Sequence, residues 1–334
     1  MQGCTLGKNG PALSAIGIGA MSFADFYGPT DERESHAIMD AALEFGISHL
    51  DTSNIYGMGK SENSIGSFLA ARGSGMRERF TIATKAGIAR DRDTGRPIFD
   101  NSPEHLTQEI EASLKRLGVE AVDLFYVHRR DSRIDIEDVT ETLAGLVKAG
   151  KTRAIGFSEI APSSLRRASA IHPIAAVQSE YSLSTRFPEL GLVQTCAELG
   201  ATLVAFSPVG RGLLTDRPHR ADAIAGMPFL KTNPRFIEPN LSTNIDATAP
   251  FRALAAEMGT SAAALAIAWL LTRGEHVLPI PGTRSVAHLK ELAAGADLYL
   301  SEEDLARIDA VLPVGWAHGD RYSDAQWIGP ERYC

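Results

Sequence analysis

Asp51 to Glu62 reads DTSNIYGMGKSE, and two readings compete for it. Its tail, GMGKS, imitates the end of a phosphate-binding P-loop, which would make the chain a nucleotide hydrolase or a phosphoryl transferase. A P-loop needs a glycine five residues before its Gly-Lys pair, so that backbone N–H groups can wrap the phosphates. That position is Asn54. What remains is a short strand, SHLD (48–51), ending in an aspartate, with a tyrosine five residues on. Gly59 then permits a turn, and Ser61 is the candidate cap of a following helix.

Working outward, runs with the character of strands recur and each precedes a segment of helical period. The strand candidates are 14–21, 48–51, 80–86, 122–128, 152–158, 175–181, 202–208 and 277–282. Helices are expected to begin near Asp31, Ser61, Pro103, Ile136, Ala161, Pro188, Pro250 and Ser285. Such βα alternation folds as an open doubly wound sheet or as a closed (β/α)8 barrel. The open sheet asks for GxGxxG in its first turn. The nearest match, Gly17-Ile18-Gly19-Ala20-Met21-Ser22, lacks the last glycine. A TIM barrel is therefore expected, as one domain over residues 1–334. A barrel takes about 250 residues. The surplus is assigned to an N-terminal hairpin (1–13), a long polar loop after the seventh strand (215–249) and a C-terminal tail (313–334).

Composition excludes several classes. Lys and Arg number 33 against 41 Asp and Glu, a net charge of −8. That argues against nucleic-acid and anionic-membrane partners, which need basic surface. Local basic clusters remain able to hold a small phosphorylated ligand. The three cysteines, Cys4, Cys196 and Cys334, show neither CxxC nor metal spacing. Sparse, odd cysteine usage fits a reducing compartment. The N-terminus MQGCTLGKNG lacks the charged and apolar regions of a secretion signal, so a cytoplasmic protein is expected. The longest apolar run, 261–271, is too short to span a bilayer and reads as a buried helix.

Polar residues sit where three consecutive strand candidates stop: Asp51 and His128 end theirs, and Lys85 is carried near the end of the one between. Each alone has an ordinary explanation, as a turn starter, a snorkelling lysine and a satisfied core histidine. Strand parity puts Lys85 with Ala83, and His128 with Tyr126 and Leu124, on shared faces. Strands about 4.8 Å apart then bring the three together at the rim where barrel chemistry occurs. A lysine and an aspartate facing a barrel interior must pair to offset desolvation. Tyr56 reaches this rim from the loop after Asp51. An ammonium beside a phenol stabilises its phenolate form, which suits proton transfer to a substrate oxygen. With no nucleophile evident, the chemistry suggested is hydride transfer from a bound cofactor.

These motifs resemble those of the aldo-keto reductases, and the resemblance runs over nearly the whole chain. LDTSNIYGMGKSE, ATKAG around Lys85 and DLFYVHRRD around His128 are similar to three family signatures in order. The resemblance implies that Tyr56 is the general acid/base, assisted by Lys85, with Asp51 paired to Lys85 and His128 orienting the carbonyl. GKTRAIGFSEI implies that Ser158 bonds the nicotinamide carboxamide, although Glu159 stands where many members have asparagine. Gln178 would take the second carboxamide contact, and Phe206 would stack on the nicotinamide. Ser207, Pro208, Val209, Gly210 and Arg211 would lie along the pyrophosphate, and Gly19, Ala20, Met21, Asp51 and Leu213 are implied as further cofactor contacts. PIPGTRSVAHLKEL resembles the closing motif at the adenosine end, through Gly282, Thr283, Arg284, His288, Glu291 and Leu292. Arg284 is the candidate for a 2′-phosphate, favouring NADPH, with NADH as the alternative. FYGP, YSLSTRFPEL, SPVGRGLL and GDRY resemble one branch, of plant and bacterial reductases.

The expected activity is interconversion of an aldehyde or ketone and its alcohol. Two alternatives keep the same fold: a cofactor-binding sensor with little turnover, and an NAD-dependent alcohol, sugar or pyridoxal-type dehydrogenase working oxidatively. The substrate, a small carbonyl compound or alcohol, would meet Phe23, Phe26, Tyr27, Tyr56, His128 and Arg129. The Pro- and Asn-rich segment 218–244 is expected to close over the cofactor.

Overall fold

The computed structural model describes residues 3–91 and 97–333, so Cys334 and the first two residues of the expected hairpin lie outside it. The barrel strands are β1 (Ile18–Gly19), β2 (His49–Asp51), β3 (Thr81–Ala86), β4 (Leu124–Val127), β5 (Ile155–Ser158), β6 (Ala176–Glu180), β7 (Thr202–Phe206) and β8 (Val277–Pro279). They pair in that order, every pair parallel. Gly17 N–H donates to Pro279 O at 2.8 Å and Gly19 N–H to Pro281 O at 3.0 Å, which brings the first strand against the last and closes the barrel.

The coat helices are α1 (Glu32–Glu44), α2 (Lys60–Arg72), α3 (Pro103–Leu117), α4 (Ile136–Lys148), α5 (Pro162–Ile171) and α6 (Leu192–Leu199). After β7 come α7 (Ala221–Ala225), α8 (Asn240–Ala247), α9 (Ala249–Glu257) and α10 (Ala262–Leu271); α11 (Val286–Ala294) and α12 (Glu302–Val311) follow β8. Local chemistry sets several starts. Asp31 and Glu34 form a reciprocal capping box on α1, and Ser102 caps α3 with Pro103 in its first turn. Ser61 does not cap α2. That helix starts from Gly59, at φ +90°, and the Ser61 hydroxyl instead donates to Ala20 O while meeting the Thr52 hydroxyl, each at 2.8 Å.

Strand alternation divides the core. Ala83, Leu124, Tyr126, Ala176, Val204, Leu278 and Ile280 form one inner cluster, while Leu50, Ile82, Phe125, Phe157, Val177 and Leu203 pack outward against the helices. Each large apolar side chain so buried contributes about 1.5–3 kcal/mol. Gly156 leaves room for the Tyr126 ring: a Cβ there would lie 2.7 Å from it. Below, Thr5 and Ala12 bridge in an antiparallel hairpin that carries Leu6 and Leu13 into the inner cluster. Thr202 fixes that hairpin by donating to Thr5 O at 3.0 Å and accepting from Gly7 N–H at 2.9 Å.

Three features depart from the expected pattern. The first strand pairs over Ile18–Gly19 alone, because Ala20–Phe23 tightens into a 3-10 turn. A small hairpin, Ile88–Arg90 with Pro97–Phe99, stands outside the barrel. The segment 215–249 is no polar loop, since it carries α7, α8 and a 3-10 turn at Pro234–Phe236, with Met227, Leu230, Phe236 and Leu241 buried. Its asparagines are bonding hubs: Asn244 donates to Arg235 O and His318 O, and Asn233 accepts from Arg235 N–H. No single described helix is long and apolar enough to cross a membrane.

Candidate active site

Asp51 and Lys85 end adjacent strands and point into the barrel, and the Lys85 ammonium is wholly buried. Its Nζ pairs with Asp51 Oδ1, donates to Thr52 O at 2.7 Å and reaches the Tyr56 hydroxyl at 3.4 Å. The other Asp51 oxygen accepts from Gln178 Nε2 at 2.7 Å. Burial works against the ammonium, but Asp51 and Tyr56 outweigh it and hold the Lys85 pKa above its ordinary value. The cation therefore stays charged beneath the phenol, 4.9 Å from the ring centroid.

His128 lies edge-on to Tyr56, with 5.8 Å between ring centroids. Burial, then the charges of Arg129 and Lys85, push its pKa well below 6.5, so the imidazole is neutral at neutral pH. Its Nδ1 meets the Ser53 hydroxyl at 3.1 Å. Ser53 and the Thr52 carbonyl are members of the site that sequence reading passed over. Both lie inside the stretch that carries Asp51 and Tyr56, and strand parity from Asp51 points to Ser53.

Register places Ser158 of β5 directly beside Gln178 of β6. Phe206, at the end of β7, keeps a partly exposed ring where the rest of its strand is buried. The chain then turns through left-handed backbone at Ser207 (φ +53°), Gly210 (+59°), Arg211 (+55°) and Gly212 (+99°). Pro208 and Val209 lie within that turn, and Leu213 leaves it for the outer core. Successive backbone N–H groups in such a turn can form a concavity suited to an anion. The Arg211 side chain does not follow the rim as expected. It turns inward, donating to Glu180 at 2.6 Å and to Arg321 O at 2.7 Å, because a buried carboxylate claims it.

At the opposite edge Gly19 and Gly282 sit where backbones cross: a Cβ on Gly282 would lie 2.8 Å from Gly19 O. Ala20 is buried and Met21 partly exposed. Thr283 folds back on Ser285, leaving Arg284 exposed with one donor on Pro29 O at 2.7 Å. His288 and Glu291 are exposed on α11, and burial followed by the charge of Arg284 lowers the pKa of the nearby His219. Leu292 is not available to a ligand, since it lies on the buried face of α11 in the outer core.

Over the mouth, Phe26 meets Tyr56 edge-on at 6.1 Å, and Phe229 from the segment after β7 closes on Phe26 and Tyr27. Phe23 is a correction. The 3-10 turn rotates it into the outer core, where it is 1% exposed, so it cannot line the rim. Arg129 donates to His128 O at 2.7 Å, to Ser158 Oγ at 3.0 Å and to the Tyr322 hydroxyl at 3.1 Å.

Tyr322 belongs to the tail, which crosses this rim on a buried ionic cluster. Arg321 pairs with Glu159, which also accepts from Ser179 Oγ and Glu180 N–H at 2.9 Å each. Glu180 in turn pairs with Arg211 and, at 3.5 Å, with Arg235. Sequence reading assigned no role to Glu180, Arg235, Arg321 or Tyr322. Their partners lie far away in the chain, and no local period reports them.

A paired lysine beneath a tyrosine at the C-terminal rim of a (β/α)8 barrel, with a neutral histidine beside it, defines an oxidoreductase of carbonyl and alcohol groups. A sequence model of the Aldo/keto reductase family matches residues 15–313. The chain is 34% identical over 313 residues to Aldo-keto reductase yakc of Schizosaccharomyces pombe, whose name carries NADP(+), covering 93% of this chain and 92% of that protein. It is 38% identical over 326 residues to Probable aldo-keto reductase 1 of Glycine max, covering 96% and 92%. Among solved structures it resembles the glycerol dehydrogenase AKR11B4 of Gluconobacter oxydans, with TM-score 0.81, 26% identity and coverage of 93% and 95%. The aldo-keto reductase AKR11C1 of Bacillus halodurans shares the fold, with TM-score 0.78, 24% identity and coverage of 98% and 99%. The chain belongs to the aldo/keto reductase family and is an NAD(P)H-dependent oxidoreductase.

Proposed function

We propose that the whole chain acts as one barrel domain, a cytoplasmic NADPH-dependent reductase of aldehydes and ketones with Tyr56 as general acid/base. The observation that carries this is the buried Lys85 ammonium, held by Asp51 and Thr52 O and reaching the Tyr56 hydroxyl at 3.4 Å. The residues fit a dinucleotide. Ser158 and Gln178 sit side by side for a carboxamide, Phe206 offers a ring face, the 207–212 turn suits a pyrophosphate and Arg284 is free to grip a 2′-phosphate. NADPH, when bound, supplies the hydride.

The chain's own groups handle the oxygen. Tyr56 donates its proton as the carbonyl oxygen gains charge, and Lys85 stabilises the phenolate left behind. Gln178 commits one amide hydrogen to Asp51, which keeps Asp51 aimed at Lys85 and leaves the Gln178 oxygen able to accept from a carboxamide. His128 is neutral, so it orients the carbonyl without competing for the proton. Of the three contacts of the Ser53 hydroxyl, the shortest is to His128 Nδ1. Donation there leaves Nε2–H for the substrate. The rings of Phe26, Tyr27 and Phe229 exclude water from above.

The test compares wild type with Tyr56→Phe across a panel of aldehydes, following oxidation of NADPH. Turnover should fall by about 10²–10⁴ with NADPH affinity retained. Undiminished turnover would remove Tyr56 from the role given to it. Tight NADPH binding with no turnover by wild type on any carbonyl or alcohol would favour the sensor instead.

A further inference from the structure

Arg129 stands one residue past His128, half-buried on the rim, and no described carboxylate pairs with it. Its neighbours differ. Arg130 faces Glu331 at 3.6 Å, Arg133 pairs with Asp131 at 2.7 Å, and Arg211, Arg235 and Arg321 share Glu159 and Glu180. Glu159 feels the Arg129 charge, yet its two oxygens are already taken by Ser179, the Glu180 N–H and Arg321. The bonds that Arg129 does make go to neutral acceptors: His128 O, Ser158 Oγ and the Tyr322 hydroxyl. They engage three of the five donors a guanidinium carries.

A half-buried guanidinium without a counter-ion is costly to keep, and this one is held beside the reacting centre, on the carbonyl of His128 and the hydroxyl of Ser158. In a chain of net charge −8, its field is a local reversal of sign. The guanidinium fork matches planar oxyanions. Around it, Tyr322 and, across the mouth, Phe26 and Tyr27 supply flat apolar surface.

We propose that Arg129 is a specificity-determining residue that selects carbonyl substrates bearing an oxyanion, a carboxylate above all. This rests on the reductase reading above. Its role is to hold the remote charge of the substrate while Tyr56 and His128 hold the reacting oxygen, so binding energy distant from the carbonyl fixes its orientation.

The test compares 4-carboxybenzaldehyde, 4-formylphenyl phosphate and 4-nitrobenzaldehyde in the NADPH-linked assay, with wild type, Arg129→Gln and Arg129→Lys. Wild type should prefer the carboxylate over the nitro compound in kcat/KM, and Arg129→Gln should cut that ratio by roughly tenfold or more, chiefly through KM. Arg129→Lys, which keeps charge without the fork, should restore part of it. A preference for the phosphate ester instead of the carboxylate would assign the same cation to a phosphorylated substrate and overturn the carboxylate assignment. Calorimetric titration of benzoate and benzamide into the protein with NADPH reads the same selectivity without turnover, so a failed reductase reading leaves this one decidable. Equal affinity for benzoate and benzamide overturns it. So does a loss of NADPH affinity in Arg129→Gln with the charged-to-neutral ratio unmoved, since the cation would then serve the cofactor.

Discussion

Arg321 in the C-terminal tail forms a buried ion pair with Glu159, 162 residues earlier at the end of β5. Glu159 holds a left-handed backbone (φ +59°) to do so, a conformation that costs a residue with a side chain about 1–3 kcal/mol. The pair lies next to Ser158, so tail position and rim position are one mechanical unit.

Removing one partner should be severe. Glu159→Gln takes the nearer carboxylate from the buried Arg321 and leaves it only Glu180, 3.7 Å away and shared with Arg211 and Arg235. Up to about 3–5 kcal/mol of stability should be lost in denaturant unfolding. The pH dependence gives a sharper signature. Burial opposes ionisation of Glu159, but Arg321 and Arg129 outweigh it and lower its pKa below 4.5. A depressed folded-state pKa contributes stability that is complete above the unfolded value and is lost as pH falls through the folded one. Wild type should therefore lose stability more steeply than Glu159→Gln below about pH 4.5. Parallel slopes would show that the pair is not the cause.

His128 yields a prediction about activity. Its pKa lies well below 6.5, through burial first and then Arg129 and Lys85. Protonation of His128 should leave no inflection in kcat/KM between about pH 6 and 8. His128→Asn should reduce kcat/KM by roughly 10²-fold while leaving NADPH affinity intact, as expected for loss of one oriented donor at the reacting oxygen.

Gly156 carries a steric prediction. Gly156→Ala places a Cβ 2.5 Å from Ala176 O and 2.7 Å from the Tyr126 ring, neither of which has room to yield. Overpacking of this kind costs about 1–3 kcal/mol. The Lys85 ammonium is 5.9 Å from the Tyr126 ring centroid. Thermal unfolding should show the loss, and kcat should fall with it as the lysine is displaced.

Arg284 separates the two cofactors. Arg284→Ala should weaken NADPH about 10- to 100-fold, the worth of a charge-assisted bond to phosphate, and change NADH little. Direct binding titrations with both nucleotides decide it, and equal losses would place Arg284 elsewhere on the dinucleotide.

Much of this molecule was legible in its sequence, and for physical reasons. A βα repeat imprints a local period, so the eight strands, the barrel and the inward parity of Asp51, Lys85 and His128 follow from short windows. The misreadings share another cause. Phe23 and Leu292 looked like rim residues by position in a motif, yet a 3-10 turn and a helix face send them into the core. Segment 215–249 looked like polar loop because Asn and Pro are loop residues; Asn233 and Asn244 are instead spent on buried backbone groups. Arg211 was placed on the rim because its partner, Glu180, lies 31 residues away and nothing local announces it.

The hairpin at the foot of the barrel has a kinetic consequence. With Leu6 and Leu13 seated among the packed inner side chains, the described residues seal the foot of the barrel. On the proposed reading both reactants would share the rim, the nicotinamide at Phe206, Ser158 and Gln178 and the substrate against Phe26 and Arg129. A floor sealed in this way leaves the two reactants one face to share, so ordered binding with the dinucleotide first is the expected outcome, and product-inhibition kinetics would check it.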